Sequence, residues 1–200
     1  MGAATPGGAI AATFNTMISL TDPPVEPVRR VSCRDFLTTL AGALPAAALL
    51  ESNTPRIVNL VHTHTSERLR LEYFSGGRYL PDALSSLNHF LRDFRTGEVH
   101  AIEPGLFDLL HQLTGTAGCS KPLHVISGFR SPVTNAALRQ RSEGVAAGSL
   151  HMKGQAIDIR PTDVPLAKLR AAALALRGGG VGYYPASNFV HVDVGRVRTW

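Results

Sequence analysis

The sequence predicts an α+β fold, a small antiparallel sheet flanked by helices, and three observations point to it. Segments alternating apolar and polar residues stand at both ends of residues 56–200, the period of a half-buried strand. Segments with apolar residues three and four apart stand between them. The two kinds do not follow one another in regular βαβ order, so a doubly wound parallel sheet is not expected.

Taken in order, Arg56–His62 alternates and reads as a strand, residues 63–67 as a turn, and residues 68–74 as a second strand. Together they make a hairpin closed by Ser75-Gly76-Gly77. Pro81 opens a helix with Leu84, Leu87, Phe90, Leu91 and Phe94 on one face. A second helix follows Glu103-Pro104, with Leu106, Leu109, Leu110 and Leu113 at helical spacing. Residues 123–126 form a short strand running into Ser127-Gly128-Phe129-Arg130-Ser131-Pro132, and residues 134–140 read as helical. The Gly- and Ala-rich residues 143–149 read as a mobile loop. Residues 156–159 are a strand stopped by Pro161, after which Thr162-Asp163 is expected to cap a helix through Leu166, Leu169, Ala173 and Leu176. Gly178-Gly179-Gly180 ends that helix, and residues 181–184 and 189–194 form a final hairpin.

At 200 residues, 44% hydrophobic and 18% charged, the chain suits one globular domain with a tail. Residues 1–50 hold three basic and three acidic residues, so the whole excess of +5 falls on residues 51–200. A basic excess suits an anionic partner such as nucleic acid, a membrane surface or a cell-wall polymer. No Lys/Arg block with interleaved aromatics occurs, which disfavours nucleic acid. Cys33 and Cys119 lack CxxC spacing and make neither a zinc knuckle nor a redox motif.

Residues 1–28 are rich in Gly, Ala, Thr and Pro and read as disordered or as upstream of the true start, Met17 being a second candidate initiator. Arg29-Arg30 and Arg34 precede an apolar stretch over residues 36–50. A basic patch ahead of such a stretch reads as a signal peptide and is too short for a transmembrane helix. The paired arginines ahead of Phe36-Leu37 resemble a twin-arginine export signal, set a few residues further from Phe-Leu than usual. Ala46, Ala47 and Ala48 offer a cleavage site. Residues 29–50 are thus expected to be a signal segment, 51–55 a linker and 56–200 the working domain. The expected location is the periplasm or cell envelope, with no membrane span in the mature form.

Chemistry concentrates near the end of the chain. Ser149-Leu150-His151-Met152-Lys153-Gly154-Gln155-Ala156-Ile157-Asp158 is followed by Phe189-Val190-His191-Val192-Asp193. Two imidazoles and one carboxylate, His151, His191 and Asp158, are a ligand set that leaves one zinc position open for water. Strand parity puts Val190, Val192 and Val194 on one face and His191 and Asp193 on the other. It likewise separates Ile157 and Ile159 from Asp158, so neighbouring strands can present Asp158 and His191 together. Gly154 and Ala156 keep the floor small. His62-Thr63-His64 also has ligand spacing but sits at a hairpin turn.

The pattern Ser-x-His-x-x-Gly-x-Ala-x-Asp, with a His-bearing strand about thirty residues later, resembles the zinc D-Ala-D-Ala carboxypeptidase family, part of the wider group of lysostaphin-type peptidases and hedgehog domains. The segments Ser127–Pro132, Asn135, Gly182-Tyr183-Tyr184-Pro185 and residues 59–67 are similar to its YcbK-like murein endopeptidase branch, over nearly all of residues 56–200. The resemblance implies that His151, Asp158 and His191 hold one Zn²⁺ and that Arg130 faces substrate, steadying a carboxylate or the developing oxyanion. It implies hydrolysis of amide bonds in peptidoglycan stem peptides, with endopeptidase action on cross-links favoured. Trimming of a terminal D-Ala, or a metal-containing wall-binding module, stands as the alternative.

One position departs from the family pattern. Where the carboxypeptidases carry a Glu or Asp general base three residues before the last histidine, this chain has Asn188. Asp193 is the nearest substitute, either as proton carrier or as a partner that orients an imidazole. Glu143 is a further carboxylate in the loop, and Ser149 is either a ligand-orienting or a turn residue. Arg196 and Arg198 are placed to meet substrate carboxylates.

Overall fold

Among the described residues, eight strands pair into one sheet because alternation gives each of the longer ones an apolar face. They are β1 (Arg56–His62), β2 (Arg68–Ser75), β3 (Arg78–Tyr79), β4 (Leu123–Ser127), β5 (Ala156–Arg160), β6 (Gly180–Tyr184), β7 (Phe189–Asp193) and β8 (Arg198–Thr199). The structure, a computed structural model, describes residues 53–141 and 146–200. The segments read from sequence as a disordered start and a twin-arginine signal, and Glu143, lie outside the described residues. Helices α1 (Pro81–Phe90), α2 (Pro104–Ala117), α3 (Pro132–Arg141) and α4 (Leu166–Leu176) complete the fold.

The class is α+β. The sheet is larger than expected and mixed, in the order β3-β2-β1-β4-β5-β7-β6-β8. β1 and β4 pair in parallel, as do β6 and β8, and the other pairs are antiparallel. The first parallel pair arises because α1 and α2 separate β1 from β4 and supply the crossover that a parallel pair requires. The two-residue strands β3 and β8 are too short to leave a periodic signal.

One face of the sheet is largely apolar. Val58, Leu60, Leu123, Val125, Ile157, Ile159, Val190 and Val192 are buried there against Leu87 of α1, Leu106, Leu110 and Leu113 of α2, and Leu169 of α4. Each such side chain adds roughly 1.5–3 kcal/mol of hydrophobic burial. A polar tie fixes α2 on the sheet. Asp108 accepts hydrogen bonds from Arg56 (2.7 Å), Tyr73 (2.9 Å) and Tyr79 (2.6 Å). The opposite face bears the polar residues of the site.

Three local expectations are corrected. α1 stops at Phe90 rather than running to Phe94, because Asp93 starts a turn: its carboxylate accepts from Arg95 N and its carbonyl from Gly97 N. Asp163 does not cap α4, whose N-cap is Pro165. Its carboxylate accepts instead from Ser120 and Lys121, tying down the entry to β4. Gly154 does not floor the site. It closes the turn before β5 at φ +65, pressed so closely on the Ala101 carbonyl that a Cβ has no room.

The His62-Thr63-His64 motif is structural. The buried His62 Nδ1 accepts from the N–H groups of His64 and Thr65, and its ring meets Phe90 and Phe94 edge-on. Burial, then the neighbouring His64, lowers its pKa to about 4. Because the folded value is depressed, the stability it contributes is present above its unfolded value near 6.5 and is lost as pH falls toward 4. Urea titrations from pH 7.5 to 4.5 should show wild type losing on the order of 1–3 kcal/mol more than His62→Asn, which keeps the acceptor without the titration. Parallel pH profiles for the two proteins would exclude this role.

Candidate metal centre

The three proposed ligands come together by two devices. Asp158 and His191 are directly opposed residues of the antiparallel pair β5/β7, so their side chains leave one face at one place. His151 reaches them from a 3-10 turn, Leu150–Lys153, whose N-cap is Ser149. Ser149 Oγ accepts from His151 N, so Ser149 is here a turn-capping residue.

His151 Nε2 and His191 Nδ1 are 3.2 Å apart. Asp158 Oδ1 lies 3.3 Å from the first and 2.9 Å from the second. All three residues are buried. Donors held about 2.0–2.1 Å from one tetrahedral ion lie about 3.3–3.4 Å from one another. The observed triangle is close to that size, so the donor set fits zinc.

The protonation pattern fits as well. His151 Nδ1 is 2.8 Å from the Gly128 carbonyl oxygen. A carbonyl only accepts, so Nδ1 carries the hydrogen and a neutral ring leaves Nε2 bare. His191 Nε2 is 3.1 Å from Asp193 Oδ2, which fixes the opposite tautomer and leaves Nδ1 bare. Two lone pairs and a carboxylate therefore face one point, an arrangement that a divalent cation satisfies at once. With protons rather than an ion between these atoms, burial pushes the Asp158 carboxyl up, but the charges and hydrogen bonds of His151 and His191 outweigh it and hold the carboxyl below the usual range. Burial acts downward on the His191 imidazole, and hydrogen bonds to Asp158 and Asp193 outweigh that, raising it.

Asp193 lies behind His191, away from the cavity, and is fully buried. Its Oδ1 accepts from Gly180 N, Gly195 N and Arg198, and its Oδ2 from Arg198 (2.7 Å) and His191. Those bonds outweigh its burial and hold its pKa low. Arg198 is thus committed to Asp193 rather than facing substrate. Asn188 is exposed, at φ 53 in the turn between β6 and β7.

In front of the ligands is a cavity of about 390 Å³, bordered by Arg130, Ser149, Tyr184, Phe189 and Trp200. Arg130 is nearly buried. One guanidinium nitrogen lies 3.6 Å from Asp158 Oδ2 and another 3.4 Å from Asn135 Oδ1, while its Nε has no protein partner. Trp200 Nε1 donates to Tyr184 Oη at 2.7 Å, and the indole stands 5.2 Å from the His191 ring. Among the described residues, Asp158 is the one carboxylate that borders this cavity.

Sequence reading missed Asp93. Its buried carboxylate accepts from Ser131 N at 2.9 Å and also bonds Thr134, fixing the start of α3 and hence Arg130. Its spacing to Gly97 was the available signal. Gly128 has a role of its own beyond the Ser127–Pro132 motif. Its Cβ would meet the Leu91 backbone at 2.6 Å, so a glycine is needed for β4 to run on against α1 and present its carbonyl to His151.

Residues 50–200 match the family model Peptidase_M15_2, described as peptidoglycan L,D-endopeptidase MepK. The chain belongs to this peptidase family. It is 50% identical over 156 residues, 78% of its length, to the peptidoglycan L,D-endopeptidase MepK of Escherichia coli (strain K12), covering 86% of that protein. The same figures hold for the Shigella flexneri protein of that name. It is 44% identical over 154 residues to the probable peptidoglycan L,D-endopeptidase MepK of Haemophilus influenzae, covering 76% of this chain and 83% of that one. The family match spans the whole sheet and the ligand-bearing segments.

Because Asp193 fixes the His191 tautomer, Asp193→Asn should weaken zinc retention about 10–100-fold in chelator competition while leaving secondary structure intact. Unchanged retention would show that the Asp193 contact does not set the ligand.

Proposed function

We propose that the chain is an exported zinc peptidase that hydrolyses amide bonds in peptidoglycan peptides, acting as an endopeptidase on cross-links. The observation that carries this is the triangle of His151 Nε2, His191 Nδ1 and Asp158 Oδ1, with all three residues buried, opening on a cavity edged by Arg130. The names of the curated relatives supply the substrate class. Export rests on that substrate and on the twin-arginine-like segment at Arg29-Arg30. No helix among the described residues is long and apolar enough to cross a membrane.

His151, Asp158 and His191 would hold one Zn²⁺, which when bound supplies a Lewis acid and a water of lowered pKa. The chain's own residues do the rest. Gly128 and Asp193 hold the two imidazoles in the tautomers that leave the donors bare. We assign Asp193 to this orienting role rather than to proton transfer, because each of its oxygens already accepts two or more hydrogen bonds. Arg130, charged and largely dehydrated, borders the cavity with its guanidinium and steadies negative charge developing on the scissile carbonyl oxygen. Tyr184 accepts the Trp200 N–H, which leaves its own O–H free to donate to a substrate carbonyl.

Purified protein with Zn²⁺ should release soluble muropeptides from isolated sacculi. His151→Ala should abolish release, and Arg130→Ala should lower kcat about 10²–10³-fold while zinc content stays unchanged. Full zinc occupancy without product from wild type would favour the wall-binding module instead. Release of D-Ala alone would favour a carboxypeptidase.

A further inference from the structure

The open face of the sheet carries a second cluster, away from the metal ligands. Register places Arg68 of β2 opposite Val61 of β1, Val61 opposite His124 of β4, and His124 opposite Arg160 of β5. Opposed residues share a face, so Arg68, Val61, His124 and Arg160 form one row across four strands. With His62 of β1 and Thr63 and Ser66 of the β1–β2 turn, the row borders an open cavity of about 240 Å³.

Electrostatically the row is unbalanced. Among the described residues no carboxylate borders this cavity, and neither guanidinium has an ion-pair partner. The nearby Glu67 is engaged with Arg92 at 3.0 and 3.1 Å. His124 Nδ1 is buried without a partner, and burial together with Arg160 and Arg68 lowers the pKa of its ring. Two unpaired guanidinium groups on one face, beside hydroxyls, match the chemistry of a bound carboxylate.

Placement says which carboxylate. Arg160 is two residues from Asp158 on one strand, hence on the same face and about 7 Å along it. The cavity is therefore about 10 Å from the metal ligands, roughly three residues of extended chain. We propose that the cavity bounded by Arg68, His124 and Arg160 is a subsite for a free carboxylate on the acidic peptide whose amide bond lies at the metal centre. This rests on the peptidase reading above and adds a specificity determinant to it.

Binding of a fluorescent acidic stem peptide and of the same peptide with its carboxylates amidated tests the proposal on the full chain. Wild type should bind the acidic form about tenfold more tightly, and inorganic phosphate should compete for it. The double variant Arg68→Gln/Arg160→Gln should lose that preference and raise KM for cleavage with kcat unchanged, whereas Arg68→Lys/Arg160→Lys should keep it. Equal binding of the two peptides by wild type would overturn the subsite without need of any variant. So would a preference that survives in the folded glutamine variant. A preference in a protein that cleaves neither peptide would instead sink the peptidase reading and leave the subsite in place.

Discussion

Two imidazoles can offer bare nitrogens to one point only when their other nitrogens are held elsewhere, and much of this structure serves that requirement. The Gly128 carbonyl holds one ring and the Asp193 carboxylate the other. Each holder is itself constrained. Gly128 is pinned against the Leu91 backbone at the end of α1, and Asp193 sits in a nest of two backbone N–H groups and the Arg198 guanidinium. Displacing either holder would free a ring to turn or to change tautomer, and the convergence of donors would be lost. The apolar face of the sheet matters to the site because it fixes the opposition of Asp158 and His191 from beneath.

Arg130 shows the same logic applied to a charge. A guanidinium left nearly buried needs compensation. It receives a partial share from Asp158 at 3.6 Å and from Asn135 at 3.4 Å, with Nε buried and unpartnered. Pairing is incomplete, so the guanidinium at the cavity edge keeps capacity for a further anionic partner. Asp93 makes this tolerable by clamping the backbone just beyond, so that Arg130 is positioned by α3 and its start rather than by its own contacts.

Much of this was legible in the chain because it depends on local rules. Alternation located β1, β2, β5 and β7, and parity in β7 separated the valines from His191. What stayed hidden depends on long-range placement. The two short strands, β3 and β8, have no period to read, and without β8 nothing ties Arg198 to Asp193. The choice between Asp193 as proton carrier and as partner of His191 turns on what surrounds its oxygens, and those donors come from Gly180, Gly195 and Arg198 in separate turns and strands. Asp163 misled for a related reason: its residue type signals a cap, but a loop more than forty residues earlier in the chain competes for the carboxylate and wins.

The parallel pairing of β8 on β6 has a consequence for how the protein would keep a metal ion at this centre. Two residue pairs join these strands, yet through Arg198 they anchor the carboxylate that sets the tautomer of His191. A two-residue ladder at a sheet edge is among the first parts of a fold to open. Local opening there would free the His191 ring while the rest of the sheet stays closed, so the fraying rate of one short strand would set a leak rate for any ion held there. Conversely, a bound ion would hold β8 in place, coupling the order of the chain's last segment to the loading of a site built mainly elsewhere.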